Sequence, residues 1–327
     1  CSAGMFSKLY LAKWAKVATY EFENIPAEQV ASLEQQIELH PSSKALAVAR
    51  DRILEKRCFR LLEIPTAEFM PVDNLENLKE AVSVVGLPAI LKTRTLGYDG
   101  KGQAVLRWLE DLPDAWVKVG KVPCIVESMI EFTRELSIIA ARSRTGESVF
   151  YPLTENHHRE GILRLSLSCQ GEPLQSMAQT MIQRLLDELD YVGVLALELF
   201  QVGETLYANE MAPRVHNTGH WTIEGARTSQ FENHLRAICG LPLGATDAPT
   251  KAAMVNMIGR PLDEAAIREF PGATPHFYGK AERPNRKVGH ITLVDNGGGS
   301  QVFIQRLANL LQLVGEDSLA DLMTYSR

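Results

Sequence analysis

The chain has 327 residues, 45% of them hydrophobic and 23% charged, with 34 Lys and Arg against 40 Asp and Glu and a net charge of −6. These proportions belong to a globular protein of about two or three domains and exclude disorder, collagen and coiled coil. There is no long basic block, and the densest apolar run, Tyr191–Phe200, is too short to span a bilayer, so neither nucleic acid nor membrane is expected as a partner.

Cys1, Cys58, Cys124, Cys169 and Cys239 lie far apart and form no C-x-x-C pair. This is the usage of reduced thiols in small core positions, not of a zinc or disulfide framework. No apolar segment followed by a small-residue cleavage site opens the chain, and a cytoplasmic location is expected.

In chain order, Leu9–Lys16 suits a short helix and Val17–Phe22 a strand; Pro26 tolerates a first helical turn ahead of a helix over Ala27–Glu38. Ala45–Leu62 reads as one long helix that ends before Pro65, and Leu75–Val84 as another. Ala89–Thr93 is a short buried strand, followed by a glycine-studded loop at Gly97–Gly102. Strands are expected at Cys124–Glu127, Glu135–Ala141 and Val149–Pro152, then a helix at Leu174–Leu189. Tyr191–Val202 and Leu206–Met211 form a hairpin around Gly203, and Ser229–Ile238 is helical. Beyond Pro249 a small α+β segment runs to Arg327, with a tight loop at Gly297–Gly299.

Four constellations carry chemistry. Lys92 stands at a strand end before Gly97-Tyr98-Asp99-Gly100-Lys101-Gly102-Gln103. Glycines admit close approach of backbone N–H groups to phosphate oxygens, and lysine supplies a point charge. The loop is not a Walker sequence, and a glycine-rich turn explains it equally well. Glu198 and Glu210 sit inside apolar strands, where an unneutralised carboxylate is costly. A three-residue loop of Gly203, Glu204 and Thr205 would pair Val202 with Leu206 and set Glu198 opposite Glu210. A two-residue loop would put the two on opposite faces. Facing carboxylates make a hard-oxygen site for Mg²⁺ completed by substrate phosphates; solvent-facing acids are the alternative.

Directly after Glu210 comes Ala212-Pro213-Arg214-Val215-His216-Asn217-Thr218-Gly219-His220-Trp221. It has little apolar character, and its arginine suits a planar anion; a hydrogen-bonded structural turn is the other reading. Near the C-terminus, Lys280, Arg283, Arg286 and Lys287 fall within eight residues, a phosphate-holding cluster or a basic surface turn. Tyr20-Glu21-Phe22-Glu23-Asn24 lies where an α/β unit presents ligands, though such acids can also cap the next helix.

These blocks, in this order, resemble the 5-(carboxyamino)imidazole ribonucleotide synthetases, ATP-grasp enzymes of purine biosynthesis. The resemblance spans nearly the whole chain and is most specific at Ala212–Trp221. It implies an α/β (α+β) ATP-grasp fold: a Rossmann-like N-terminal domain, truncated here to residues 1–42, a central ATP-grasp domain at 43–245 and a small C-terminal domain at 246–327. The family's opening strand and Gly-rich turn have no counterpart before the Leu9–Lys16 helix, and roughly 60 residues of that domain are expected to be absent. The implied reaction joins ATP, bicarbonate and 5-aminoimidazole ribonucleotide through carboxyphosphate.

By the same resemblance, ATP would meet Arg52, Lys92, the loop Gly97–Gln103, Glu127, Ser128, Met129, Ile130, Glu135, His158, Asn209 and Glu210. Mg²⁺ would be held by Glu198 and Glu210, and bicarbonate would lie near Arg214, His216 and Asn217. Tyr98, Asp99, Lys101, Lys280, Arg286 and Lys287 would face the ribonucleotide. A homodimer is the expected assembly. The rival expectations are another ATP-grasp carboxylate ligase and a non-catalytic or weakly active remnant that binds nucleotide.

Overall fold

The computed structural model describes residues 14–97 and 102–325. The expected helix over Leu9–Lys16 therefore lies mostly outside the described residues, as do Tyr98, Asp99, Gly100 and Lys101. At the N-terminal end, β1 (Val17–Ala18) pairs in parallel with β2 (Glu38–Leu39), and α1 (Ala27–Glu34) packs beside them. Both N-terminal expectations were too long. The strand stops at Ala18, and α1 ends at Glu34, because Glu38 and Leu39 are used as a strand.

The long helix expected over Ala45–Leu62 is two helices, α2 (Ser43–Arg50) and α3 (Arg52–Leu61). Asp51 makes the break. Its backbone is extended, and its carboxylate accepts from the N–H groups of Ile53 at 3.0 Å and Leu54 at 3.4 Å, capping α3. Arg94 fixes that carboxylate from the side, with Nε 2.7 Å from both oxygens.

A four-stranded antiparallel sheet follows, ordered β3-β6-β4-β5, from β3 (Phe69–Val72), β4 (Ala89–Thr93), β5 (Gln103–Leu106) and β6 (Cys124–Ser128). Helices α4 (Leu75–Val85) and α5 (Leu112–Lys118) cover one face through Leu78, Val82, Trp116 and Val126.

A larger nine-stranded sheet has the order β12-β11-β7-β9-β10-β13-β15-β14, with β8 paired to β7. Its members are β7 (Arg134–Arg142), β8 (Ser148–Phe150), β9 (Thr154–Arg159), β10 (Ile162–Ser168), β11 (Gly193–Val202), β12 (Thr205–Ala212), β13 (Ala252–Ile258), β14 (Ala273–Phe277) and β15 (Lys287–Val294). Helix α6 (Gln175–Glu188) and α3 cover it through Leu185, Leu186, Phe59 and the strand residues Leu195 and Leu197. Phe59 is fully buried; its loss to alanine would cost about 3–5 kcal/mol.

The turn helix α7 (Thr222–Gly225) and α8 (Gln230–Ile238) lie beside β11 and β13. Beyond them α9 (Glu264–Arg268), α10 (Gly299–Leu313) and α11 (Asp317–Tyr325) surround a second core built on Ile291, Phe303, Leu307 and Leu311. The C-terminal segment does not form a separate sheet: β10 hydrogen-bonds directly to β13 through Leu165–Val255 and Leu167–Ala253.

Candidate active site

The site is built around the β11–β12 hairpin. Val202 pairs with Thr205, so the loop has two residues, Gly203 and Glu204, not the expected three. That register runs on to Leu199 opposite Ala208, and then shifts: Glu198 stands opposite Glu210. Asn209 is the extra residue, a bulge that restores the pairing which the shorter loop would have destroyed. The expected Glu198–Glu210 pair is present, reached by a different route.

Helix α3 holds the bulge from below. Glu55 accepts from the Met211 N–H at 2.6 Å, and Lys56 Nζ donates to the Asn209 carbonyl at 2.8 Å. One turn earlier, Arg52 Nη1 lies 2.8 Å from Glu210 Oε2. Burial would raise Glu210, but the Arg52 charge and hydrogen bond outweigh it and hold the carboxyl at about 2. Glu198 is pushed the other way, to about 7, by burial and by the charge of Glu210.

Glu198 and Glu210 line a cleft of about 470 Å³ between the two sheets. The four-stranded sheet contributes Lys92 and Gln103 to its walls, and Gly97 follows β4. The nine-stranded sheet adds Glu135, His158, Asn209 and Lys287, and Arg52 enters from α3. Lys92 Nζ rests 3.0 Å from Glu127 Oε2, and Lys56 reaches the same oxygen at 3.4 Å. Burial opposes the charge on Glu127; Lys56 and then Lys92 outweigh it, holding the carboxyl at about 2. His158 Nδ1 lies 2.6 Å from Glu135 Oε2, and this partner raises His158 against the effect of burial.

The segment after β12 closes one end of the cleft. Arg214 Nε lies 2.8 Å from Glu23 Oε2, and both residues line the cleft. His216 is clamped by Gln230, which accepts from its N–H at 2.9 Å and donates to its carbonyl at 2.7 Å. The imidazole Nε2 sits 3.5 Å from Glu198 Oε1. Burial and the neighbouring Arg214 drive His216 well below the usual histidine range, so the ring is neutral. Asn217 exchanges hydrogen bonds with buried Asn256 at 2.8 and 3.3 Å. Gly219 admits no side chain here: a Cβ would sit 2.2 Å from Ile139 and 2.7 Å from Gln230.

The structure thus gathers Arg52, Lys92, Gly97, Gln103, Glu135, His158, Glu198, Asn209, Glu210, Arg214, His216, Asn217 and Lys287 around one cavity. It does not bring every expected residue there. Glu127 is behind the wall, 3% exposed, and Ser128 and Met129 are tied by backbone bonds to Glu68 and Pro88. Gly102 accepts from the Thr93 N–H and is not on the cleft wall. Lys280 lies over the Tyr278 ring, 5.0 Å from its centroid, and Arg286 donates to the Ala281 carbonyl; neither is among the residues that line the cavity.

Two related domain descriptions match the chain: ATP-grasp domain over residues 57–231, and phosphoribosylaminoimidazole carboxylase C-terminal domain over residues 252–299. An N5-carboxyaminoimidazole ribonucleotide synthase of Pseudomonas aeruginosa is 52% identical over 283 residues, covering 86% of this chain and 79% of that protein. The chain belongs to the N5-carboxyaminoimidazole ribonucleotide synthase family. The crystal structure of the family member from Thermus thermophilus superposes with a TM-score of 0.90 at 51% identity, covering 95% of this chain and 85% of that one. The member from Aspergillus clavatus, in complex with ADP and 5-aminoimidazole ribonucleotide, gives 0.85 at 26% identity, covering 93% and 83%.

The donor set suits the Mg²⁺ of an ATP-grasp synthase. Arg52 balances Glu210, whereas burial and the charge of Glu210 disfavour the charged form of Glu198, a penalty that a cation bound between the two carboxylates would relieve. Among the described residues no group of three or more His, Cys, Asp or Glu could hold a metal alone; Mg²⁺ bound through one or two carboxylates and substrate phosphates needs no such group. Sequence reasoning missed Glu55 and Lys56, although their spacing from Arg52 places all three on one helical face. It also missed Phe132 and Phe200, cleft-lining rings stacked 4.6 Å apart, and left Glu23 undecided between cap and ligand.

Proposed function

We propose that the chain catalyses the ATP- and bicarbonate-dependent N-carboxylation of 5-aminoimidazole ribonucleotide, an ATP-grasp ligase step of purine biosynthesis. The observation that carries this reading is one cavity with two chemistries. Phosphate-type cations and a carboxylate pair occupy one side, and the Arg214–Asn217 segment adjoins them through the Glu198–His216 contact. A bicarbonate oxygen attacks the γ-phosphorus of ATP and ADP departs, which converts hydroxide into a phosphate leaving group. Carboxyphosphate then releases phosphate and CO₂ beside the amine, which attacks the carbon and loses a proton.

Catalysis of this kind is positioning and charge neutralisation. Arg52 and Lys92 are assigned to phosphate oxygens, as is the glycine-rich stretch Gly97–Gln103. Glu135, His158 and Asn209, which line the cleft, are assigned to the nucleoside. Glu198 and Glu210 would hold Mg²⁺, which when bound supplies charge neutralisation at the phosphoryl oxygens. Arg214 would hold the planar bicarbonate, and Asn217 and neutral His216 would orient it. Tyr98, Asp99, Lys101 and Lys287 are assigned to the ribonucleotide, with Lys280 and Arg286 at its phosphate.

The assigned domains are 1–42, 43–245 and 246–327. A homodimer working in the cytoplasm completes the reading; no described helix is long and apolar enough to cross a membrane. The test measures phosphate release and carboxylated product together, with ATP, bicarbonate and Mg²⁺. Phosphate release matched by product, and dependent on aminoimidazole ribonucleotide, is expected. Product formation without ATP, or ATP turnover serving another carboxylate, would refute the reading.

A further inference from the structure

This inference rests on reading the cleft as a nucleotide site and concerns a residue behind its wall. Lys56 is 1% exposed and among the largest fully buried side chains. Its ammonium donates to the Asn209 carbonyl at 2.8 Å and to Thr66 Oγ1 at 3.0 Å, and lies 3.4 Å from both the Ala208 carbonyl and Glu127 Oε2. An ammonium has three N–H bonds, so this cation is committed and cannot serve a ligand. Lys92, by contrast, is 12% exposed at the cleft and rests 3.0 Å from the same Glu127 oxygen. Glu127 is 3% exposed, and its other oxygen has no hydrogen-bond partner. Two lysines thus share one buried carboxylate, one facing the core and one facing the cavity.

A lysine that takes hold of a phosphate must loosen its present partner. Were Lys92 the sole counter-ion of Glu127, that movement would strand a buried anion, which is strongly unfavourable. We propose that Lys56 is a positioning residue, the standing counter-ion of Glu127 that frees Lys92 to turn from this carboxylate to a nucleotide phosphate. Lys56 also binds the carbonyls of the β12 bulge, a structural duty that any test must separate from the electrostatic one.

The separation comes from a double substitution read by calorimetric titration with MgADP, which requires no turnover. Wild type binds MgADP; its failure to bind would refute the nucleotide reading and this inference with it. Lys56→Met leaves Lys92 as the one lysine in direct contact with Glu127 and is expected to weaken binding about tenfold or more. Adding Glu127→Gln removes the anion that then retains Lys92, and affinity is expected to return to within about threefold of wild type. The bonds from Lys56 to Asn209 and Ala208 are missing in both variants, so their difference reads Glu127 alone. An unchanged affinity in Lys56→Met, or a double variant as weak as the single one, overturns the proposal. If Lys56→Met does not fold, Glu127→Gln alone decides. Binding within about threefold of wild type supports the proposal. A tenfold loss shows that Glu127 presents Lys92 to phosphate rather than competing for it, and overturns it.

Discussion

Lys92 and Arg52 reach the cleft from different elements, and each already holds a carboxylate, Glu127 at 3.0 Å and Glu210 at 2.8 Å. Lys92→Ala leaves Glu127 with Lys56 and removes a charge from the cavity. MgADP affinity should fall about 10- to 100-fold, as a charged hydrogen bond is worth about 1.5–3 kcal/mol; equal calorimetric affinities would refute the assignment. Glu127 carries a second consequence. Its carboxyl is lowered from 4.5 to about 2 in the folded chain, so the group stabilises the fold above about pH 4.5 and the contribution fades as pH falls toward 2. The expected size is about 3 kcal/mol. Thermal unfolding from pH 7 to pH 3 should therefore show wild type losing stability more steeply than Glu127→Gln; parallel profiles would contradict it. Glu198, Glu210 and Arg214 were legible in the sequence because charge inside apolar strands, or a guanidinium in a turn with little apolar character, demands a partner. Glu55 and Lys56 were not, since a helical face of charged residues looks the same whether water or a buried carboxylate lies opposite.

The boundary between α2 and α3 is set by a single side chain. Asp51 caps α3, and so aims Arg52, the first residue of that helix, at Glu210. Asp51→Ala should lower stability by about 1–2 kcal/mol through the lost cap, and should raise the KM for ATP as Arg52 loses its direction. Asp51→Asn keeps the cap and should recover most of the stability in denaturant titration; a variant no better than alanine would show that the Arg94 pair, not the cap, matters. Composition hid this break, because the residues around Asp51 favour helix on both sides. The hairpin was hidden differently. Its paired carboxylates were readable from strand alternation, but the two-residue loop and the Asn209 bulge depend on one another. The bulge is held by Glu55 and Lys56, some 150 positions away in the chain, beyond the reach of any local pattern.

The cavity lies between two sheets that share no ladder: Lys92 and Gln103 stand on one, Glu198 and Glu210 on the other. A nucleotide that bridges them should slow amide exchange in β4 and in β11–β12 together; protection confined to one sheet would refute the shared site. Strands β9 and β10 escaped the sequence reading because β10 is buried along its whole length while carrying Arg164, Ser166 and Ser168. Those residues are neutralised internally, Ser166 by Asn156 and Arg164 by Glu316, so neither alternation nor a continuous apolar run marks them. The β10–β13 ladder has a consequence for synthesis. Residues 162–168 leave the ribosome well before residues 252–258, and at about 5–20 residues per second the interval lasts several seconds. Through that time β10 presents an open row of N–H and C=O groups at the edge of a sheet that still lacks β13, β14 and β15, a template for pairing with a neighbouring nascent chain. Translation pauses within the 169–251 stretch would lengthen the exposure. The yield of folded protein therefore depends on elongation speed across a region remote from the catalytic cleft.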